Sequence, residues 1–286
     1  MDKESARQQL IEAIGVPVEQ REIQAGDIKT AYLAAGDGPP LVLLHGSGIG
    51  GVVWYQSIGA LSTHFRVIAP DVVGYGESDK PPATYDKAFY ARWLRNFFDA
   101  IELNQGYLAG NSCGGAISLQ FAMNNPKRVK KLALINSGAL GKQMATGAKF
   151  RSLLLNCYPT LTAARWAIHY LVHEKSNISD ALTQYAVEVL QKPGGRRPFW
   201  DGKGKVFDPF TDDQLKSVSH KTLILWGKED QFIPTQYGRL TKKIMPNAQL
   251  KAIRRAGHFP FLDRPFVFNK HLIEFFKPTG ESRYNA

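Results

Sequence analysis

The sequence predicts a doubly wound α/β fold, a mostly parallel sheet of about eight strands with a helical cap inserted between strands six and seven. Two observations carry that reading. Apolar runs of four or five residues recur with helix-patterned stretches between them, the arrangement of parallel strands joined by crossover helices. Between 137 and 221 this rhythm stops, and only amphipathic stretches of helical spacing remain.

In chain order, early strands are expected at 18–23 and 28–34, and the first strongly buried one at 41–44, Leu-Val-Leu-Leu. Strands at 66–69, 107–109 and 131–135 follow, and two late ones at 222–226 and 249–253. Helical periodicity is clearest over 86–103, 115–124 and 265–276. The stretches 163–172 and 180–191 supply helices to the insertion. The chain therefore divides into a core, 1–137 with 221–286, and a cap, 138–220. A cap inserted there lies over strand ends, where α/β sheets place ligands.

At 286 residues and 44% hydrophobic composition the chain can bury a sizeable core. Charged Asp2, Lys3, Glu4 and Arg7 leave no apolar segment of the export-signal kind near the start, and no apolar run reaches the roughly 18–20 residues of a membrane span. The expectation is a cytoplasmic protein with no membrane partner. Two cysteines, Cys113 and Cys157, do not make a disulfide framework. The net charge of +11 raises the question of nucleic acid. Residues 1–141 carry 13 charges of each sign, so the excess lies beyond them, in scattered pairs such as Lys242-Lys243 and Arg254-Arg255. That pattern reads as a solvated surface, with an anionic substrate as a secondary reading and no nucleic-acid partner. Oligomeric state is left open, a homodimer included.

The chemistry concentrates at strand ends. After the strand at 107–109 comes Gly110-Asn111-Ser112-Cys113-Gly114-Gly115 and then a helix, the pattern of a nucleophile elbow. A serine hydroxyl is a weak nucleophile and must sit where a base and oxyanion donors reach it together, which a tight strand-to-helix turn achieves. His45-Gly46-Ser47-Gly48 follows the strand at 41–44, so the backbone N–H groups of Ser47 and Cys113 are the candidate oxyanion hole. His45 is expected to hold that loop. Asp230 follows the strand at 222–226 and is the candidate acid, with neighbouring Glu229 as its rival and Asp212 and Asp213 as alternatives in the cap. His258 follows the last strand and is the candidate base; none of the other six histidines has a comparable position. Serine, acid and histidine thus arrive in one order, each at a strand end. The loop 71–81, rich in glycine, has an architectural part beneath them. No H-E-x-x-H, Cys-x-x-Cys, dinucleotide or Walker signature occurs, so neither a metal nor a cofactor is expected.

Taken together these motifs resemble the α/β-hydrolase superfamily over about 18–278, and within it Gly110-Asn111-Ser112 with Gly114-Gly115 and the 74–81 loop resemble the meta-cleavage product hydrolases. The resemblance implies a serine enzyme acting on a small molecule, either on esters or on a carbon–carbon bond of dienoate diketones from aromatic degradation. It implies pocket roles for Asn111, Trp54 and Phe259, and for Arg196 or Arg197 as a carboxylate-binding cap arginine in shifted position. Ser47 and Phe259 depart from the family's glycine and tryptophan. The leading expectation is hydrolysis of small carboxylic esters or related acyl compounds, with carbon–carbon hydrolysis second. A lyase, since the elbow also resembles that of plant hydroxynitrile lyases, or a non-catalytic receptor on the same fold are lesser alternatives.

Overall fold

The structure is a computed structural model that describes residues 5–141 and 145–277. The charged Asp2–Glu4 start and residues 278–286 lie outside them. The strands are β1 (Glu19–Ala25), β2 (Ile28–Ala35), β3 (Pro40–Leu44), β4 (Arg66–Pro70), β5 (Gly106–Asn111), β6 (Val129–Ile135), β7 (Thr222–Gly227) and β8 (Ala248–Ile253). They form one eight-stranded sheet in the order β1-β2-β4-β3-β5-β6-β7-β8. Only β2 runs against its neighbours, antiparallel to β1 and β4, and every other pair is parallel.

Side chains along the central strands alternate between two core layers, as the pleat requires. Leu41 and Leu43 of β3, Ala133 and Ile135 of β6 and Leu223 and Leu225 of β7 face one layer. Val42 and Leu44, Leu132 and Leu134, and Ile224 and Trp226 face the other. Burial on both faces is why these strands read as continuous apolar runs. The first layer is closed by helices α1 (Ala6–Glu12) and α2 (Tyr55–Ser62), through residues such as Leu10 and Ile58. The second is closed by α3 (Lys87–Ala100) and α4 (Cys113–Asn124), through Phe97 and Phe121. Asp86 lies outside α3 as its cap, its carboxylate accepting from Phe89 N at 2.8 Å.

Between β6 and β7 the chain forms only helices among the described residues: α5 (Thr146–Cys157), α6 (Leu161–Leu171), α7 (Asp180–Gln191), α8 (Arg197–Trp200) and α9 (Asp212–Lys216), with short 3₁₀ turns. Thr160 and Ser179 cap α6 and α7 with their hydroxyls. The chain finishes with α10 (Gln236–Ile244) between β7 and β8, then α11 (Pro260–Asp263) and α12 (Pro265–Phe276). α12 returns Phe268, Leu272 and Phe276 to the first layer.

Candidate active site

Ser112 is the single residue between β5 and α4, and it has φ 55° and ψ −120°. L-residues avoid this region, at a cost of about 1–3 kcal/mol, so the surroundings must hold it there. They do so through the backbone: Ser112 N donates to Ile135 O at 3.0 Å, and Ser112 O accepts from Gly115 N at 3.0 Å and Gly138 N at 2.8 Å. Glycine is needed where the turn closes. A Cβ at Gly110 would lie 2.2 Å from Gly114 O, and one at Gly114 would lie 2.4 Å from Leu44 O.

His258 and Asp230 meet at the ends of the two strands farther along the sheet. The ring Nδ1 of His258 lies 2.9 Å from Asp230 Oδ2, with both side chains buried. Oδ2 also accepts from Asn136 Nδ2 at 2.6 Å, while Oδ1 accepts from Phe232 N at 2.7 Å and Ile233 N at 3.0 Å. Four donors converge on this carboxylate, so it accepts from the imidazole, whose proton in the neutral form sits on Nδ1 and leaves the Nε2 lone pair free for another partner. Phe232 packs against the imidazole at 4.7 Å between ring centres. Glu229 faces elsewhere: its Oε2 accepts from Ala256 N at 3.0 Å. Asp212 and Asp213 start α9, where Asp213 pairs with Lys216 on the surface.

The loop after β3 is tied to the segment that follows β4. His45 Nε2 accepts from Val72 N at 2.9 Å, which fixes its proton on Nδ1, and Nδ1 donates to Gly46 O at 2.7 Å. Burial holds His45 below the ordinary imidazole range, in keeping with the neutral form that this bond requires. Asp71 ties the same region together, accepting from Gly51 N at 2.5 Å and Glu77 N at 2.8 Å. Beside the elbow, the Cys113 thiol points to His45 O, with Sγ 3.8 Å from that oxygen. Burial pushes that thiol up to about 11, so it is protonated near neutrality. Cys113 opens α4, where a backbone N–H has no partner within the helix.

Ser47, Ser112, His258 and Phe259 all line one cavity of about 870 Å³ between the sheet ends and the helical insertion. Its walls are largely apolar, with Leu140, Leu171 and Phe207 among them, and its cations are Lys149, Arg151 and Lys203.

Three of the pocket residues expected from sequence lie outside that lining, and a fourth stands behind it. Trp54 is wholly buried in the first core layer, its ring 4.2 Å from Phe261, because a large indole gains most where it is fully packed. Arg196 Nη1 donates to Asn156 O at 3.3 Å and Arg197 Nη1 to Lys80 O at 2.5 Å; it is Pro198, Phe199 and Trp200 of α8 that face the cavity. Asn111 sits behind the elbow, its Nδ2 donating to Ile135 O and His258 O at 3.1 Å each, and so braces the loop of His258. Phe259 does line the cavity, 5.6 Å from the imidazole ring.

Sequence reading missed several contributors. Asn136 follows β6 with φ 42°; besides its bond to Asp230, its Oδ1 accepts from Gly227 N at 3.0 Å. An asparagine directly after a buried strand is the available signal, since asparagine tolerates positive φ. Asp263 accepts from Gly257 N at 2.7 Å, His173 N at 3.0 Å and Glu174 N at 2.8 Å, joining the loop of His258 to the end of α6. Burial raises the Asp263 carboxyl despite those three bonds.

Comparison with known proteins agrees with this fold. Residues 39–265 match the model of the alpha/beta hydrolase fold. The chain is 31% identical over 265 residues to a 2-hydroxy-6-oxo-2,4-heptadienoate hydrolase of Pseudomonas putida, covering 89% of this chain and 95% of that protein. It is 31% identical over 253 residues to a 2-hydroxy-6-oxo-6-phenylhexa-2,4-dienoate hydrolase of Burkholderia cepacia, covering 84% and 88%. Among solved structures it resembles a meta-cleavage product hydrolase from Pseudomonas fluorescens, with a TM-score of 0.81 at 27% identity over 90% of this chain and 97% of that one.

Proposed function

The chain belongs to the alpha/beta hydrolase family, and from that premise we propose that it hydrolyses carboxylic esters or related acyl compounds with Ser112 as nucleophile, His258 as base and Asp230 as the acid that orients the base. The observation that carries this is the 2.9 Å contact of His258 with Asp230 at the wall of the cavity on which Ser112 opens. In the proposed cycle Ser112 Oγ attacks the carbonyl carbon while His258 Nε2 takes its proton. Asp230 stabilises the imidazolium through Nδ1–H. The N–H groups of Ser47 and Cys113 receive the oxyanion, each such donor contributing about 3 kcal/mol. The imidazolium then protonates the leaving group, and water activated by His258 releases the acid. Residues 138–220 act as the cap that closes the cavity over the core formed by 1–137 and 221–286. The apolar walls suit a bulky, largely apolar acyl compound.

A second reading, hydrolysis of a carbon–carbon bond in a ring-cleavage dienoate, is favoured by what the two relatives are named for. In that reading Arg151 and Lys149, both lining the cavity, meet the carboxylate of the substrate. A panel of p-nitrophenyl esters set against 2-hydroxy-6-oxo-dienoates ranks the two, and inactivity toward both overturns the proposal. Fluorophosphonate labelling tests the nucleophile: the parent chain is expected to be labelled, and Ser112→Ala is expected to lose the label.

A further inference from the structure

α5 and α6 pack on one another as a hairpin at the edge of the insertion, and α5 is barely embedded: only Ala148 and Asn156 of its twelve residues are buried. What the hairpin turns outward is apolar. Phe150 is 58% exposed, Tyr158 66%, Leu161 48% and Trp166 40%, and Phe150 meets Trp166 edge-on at 6.0 Å, joining the two helices on their outer side. The patch reaches the cavity mouth, because Leu153 and Trp200 are exposed and also line the cavity. Isolated exposed apolar residues are ordinary, but several on one helical hairpin at the rim of a binding cavity are not.

Charge narrows what covers it. The hairpin, residues 146–171, carries three Lys or Arg residues and no Asp or Glu. These are Lys149, Arg151, stacked over Trp166 at 4.0 Å and Tyr170 at 4.2 Å, and Arg165. The nearby carboxylates are Asp180, which pairs with Arg165, and Asp201 and Asp208 beyond Trp200. A second copy seated on this face about a two-fold axis would set basic hairpin against basic hairpin, an unfavourable juxtaposition. An anionic lipid surface meets both features at once: headgroups pair with Lys149 and Arg151 at the cavity rim, which in the ester reading have no substrate carboxylate to meet, while aromatic and aliphatic side chains enter the interfacial layer.

We propose that the outer face of the α5–α6 hairpin docks on an anionic membrane surface, turning the cavity mouth toward the lipid. No helix among the described residues is long and apolar enough to cross a membrane. The expectation of no membrane partner rested on the lack of such a span, and the patch exists only once the chain is folded.

The test is flotation of the full chain with vesicles of phosphatidylcholine and phosphatidylglycerol in equal parts, against phosphatidylcholine alone, at low and high salt. The chain is expected to float with the anionic vesicles only, and to be released by salt. Phe150→Ser with Leu161→Ser is expected to lower the bound fraction roughly tenfold while hydrolysis of a water-soluble ester is kept, since neither residue lines the cavity. Tyr158→Ser, at a loop position, serves as a second variant that leaves both helices intact. Lack of binding to anionic vesicles, or equal binding by the parent and both variants, overturns the proposal. So does a parent dimer that the double variant converts to monomer with no vesicle binding by either.

Discussion

Replacing Asp230 by asparagine is the sharpest probe of the acid and base. Four donors reach the carboxylate: His258 Nδ1 and Asn136 Nδ2 on one oxygen, and Phe232 N and Ile233 N on the other. An amide has one accepting oxygen and must turn its NH₂ toward one of these pairs. Facing the two backbone N–H groups, it would strand two buried donors, each at a cost of about 1–3 kcal/mol. Facing Asn136 and His258, it strands only the Asn136 amide, because the imidazole can move its proton to Nε2 and accept on Nδ1. The second arrangement is therefore preferred by about the cost of one donor. In it Nε2 carries a hydrogen and cannot take the proton of Ser112. A loss of about 10⁴ in kcat is expected, equivalent to about 5.4 kcal/mol of barrier, with a melting temperature lower by a few degrees. The assay is steady-state hydrolysis of a p-nitrophenyl ester by Asp230→Asn and Glu229→Gln side by side, with thermal unfolding of each. If Asp230→Asn keeps activity within tenfold of the parent while Glu229→Gln loses it, the orienting acid is Glu229 and the assignment fails.

Three other expectations follow from packing and titration. Trp54→Ala is expected to cost about 3–5 kcal/mol in urea unfolding yet leave kcat nearly unchanged at temperatures where it stays folded, because the indole packs on Phe261 away from the cavity; a large kcat effect would return Trp54 to the pocket. His45 is held below its unfolded value of 6.5, so the unfolded chain takes up the extra proton first as pH falls. Its contribution to stability is present above about 6.5 and is lost below it, with a slope of up to about 1.4 kcal/mol per pH unit. Melting curves from pH 7 to about 5 should therefore fall less steeply for His45→Gln than for the parent. Iodoacetamide near pH 8 is expected to modify half-buried Cys157 and spare Cys113, which is buried with its thiol pushed up to about 11; peptide mass spectrometry decides.

The sheet was readable because its central strands are buried on both faces and bounded by turns, so each expected strand overlaps an observed one to within two or three residues at either end. The errors have local causes. Helical periodicity over 86–103 overran α3 because Leu103 is buried, although the chain has already turned at Glu102, φ 53°. α5 went unseen since it offers almost no buried stripe, and α10 since its buried positions, Gly238 and Thr241, are not large apolar residues. Within the candidate site, the positions of Ser112, Asp230 and His258 after β5, β7 and β8 were legible. Asn136 was not, because its part depends on meeting a carboxylate 94 positions away. Arg196 and Arg197 misled for the converse reason: a short helix offers its charged and apolar residues in directions that sequence spacing does not fix, and here the apolar ones face the cavity.

The same contacts explain why the insertion is not uniform. Phe259 N donates to Leu171 O at 3.1 Å, Asp263 binds the backbone of His173 and Glu174, and Asn177 Nδ2 donates to the carbonyls of Leu262 and Asp263. The end of α6 and the turn after it are thus fastened to the segment that carries His258, so that this part of the insertion shares its anchor with the proposed base. α5 is held more sparsely: its own side chains bond within the helix, from Arg151 to Gly147 O and from Asn156 to Ser152 O, and its outward links are Arg196 Nη1 to Asn156 O at 3.3 Å and, at the N-cap, Ala145 N to Phe232 O at 3.2 Å. Changes at Asp263 therefore act on His258 and the cavity wall together, whereas changes on α5 can reshape the wall and the outer face while the anchored part of the insertion keeps His258 in place.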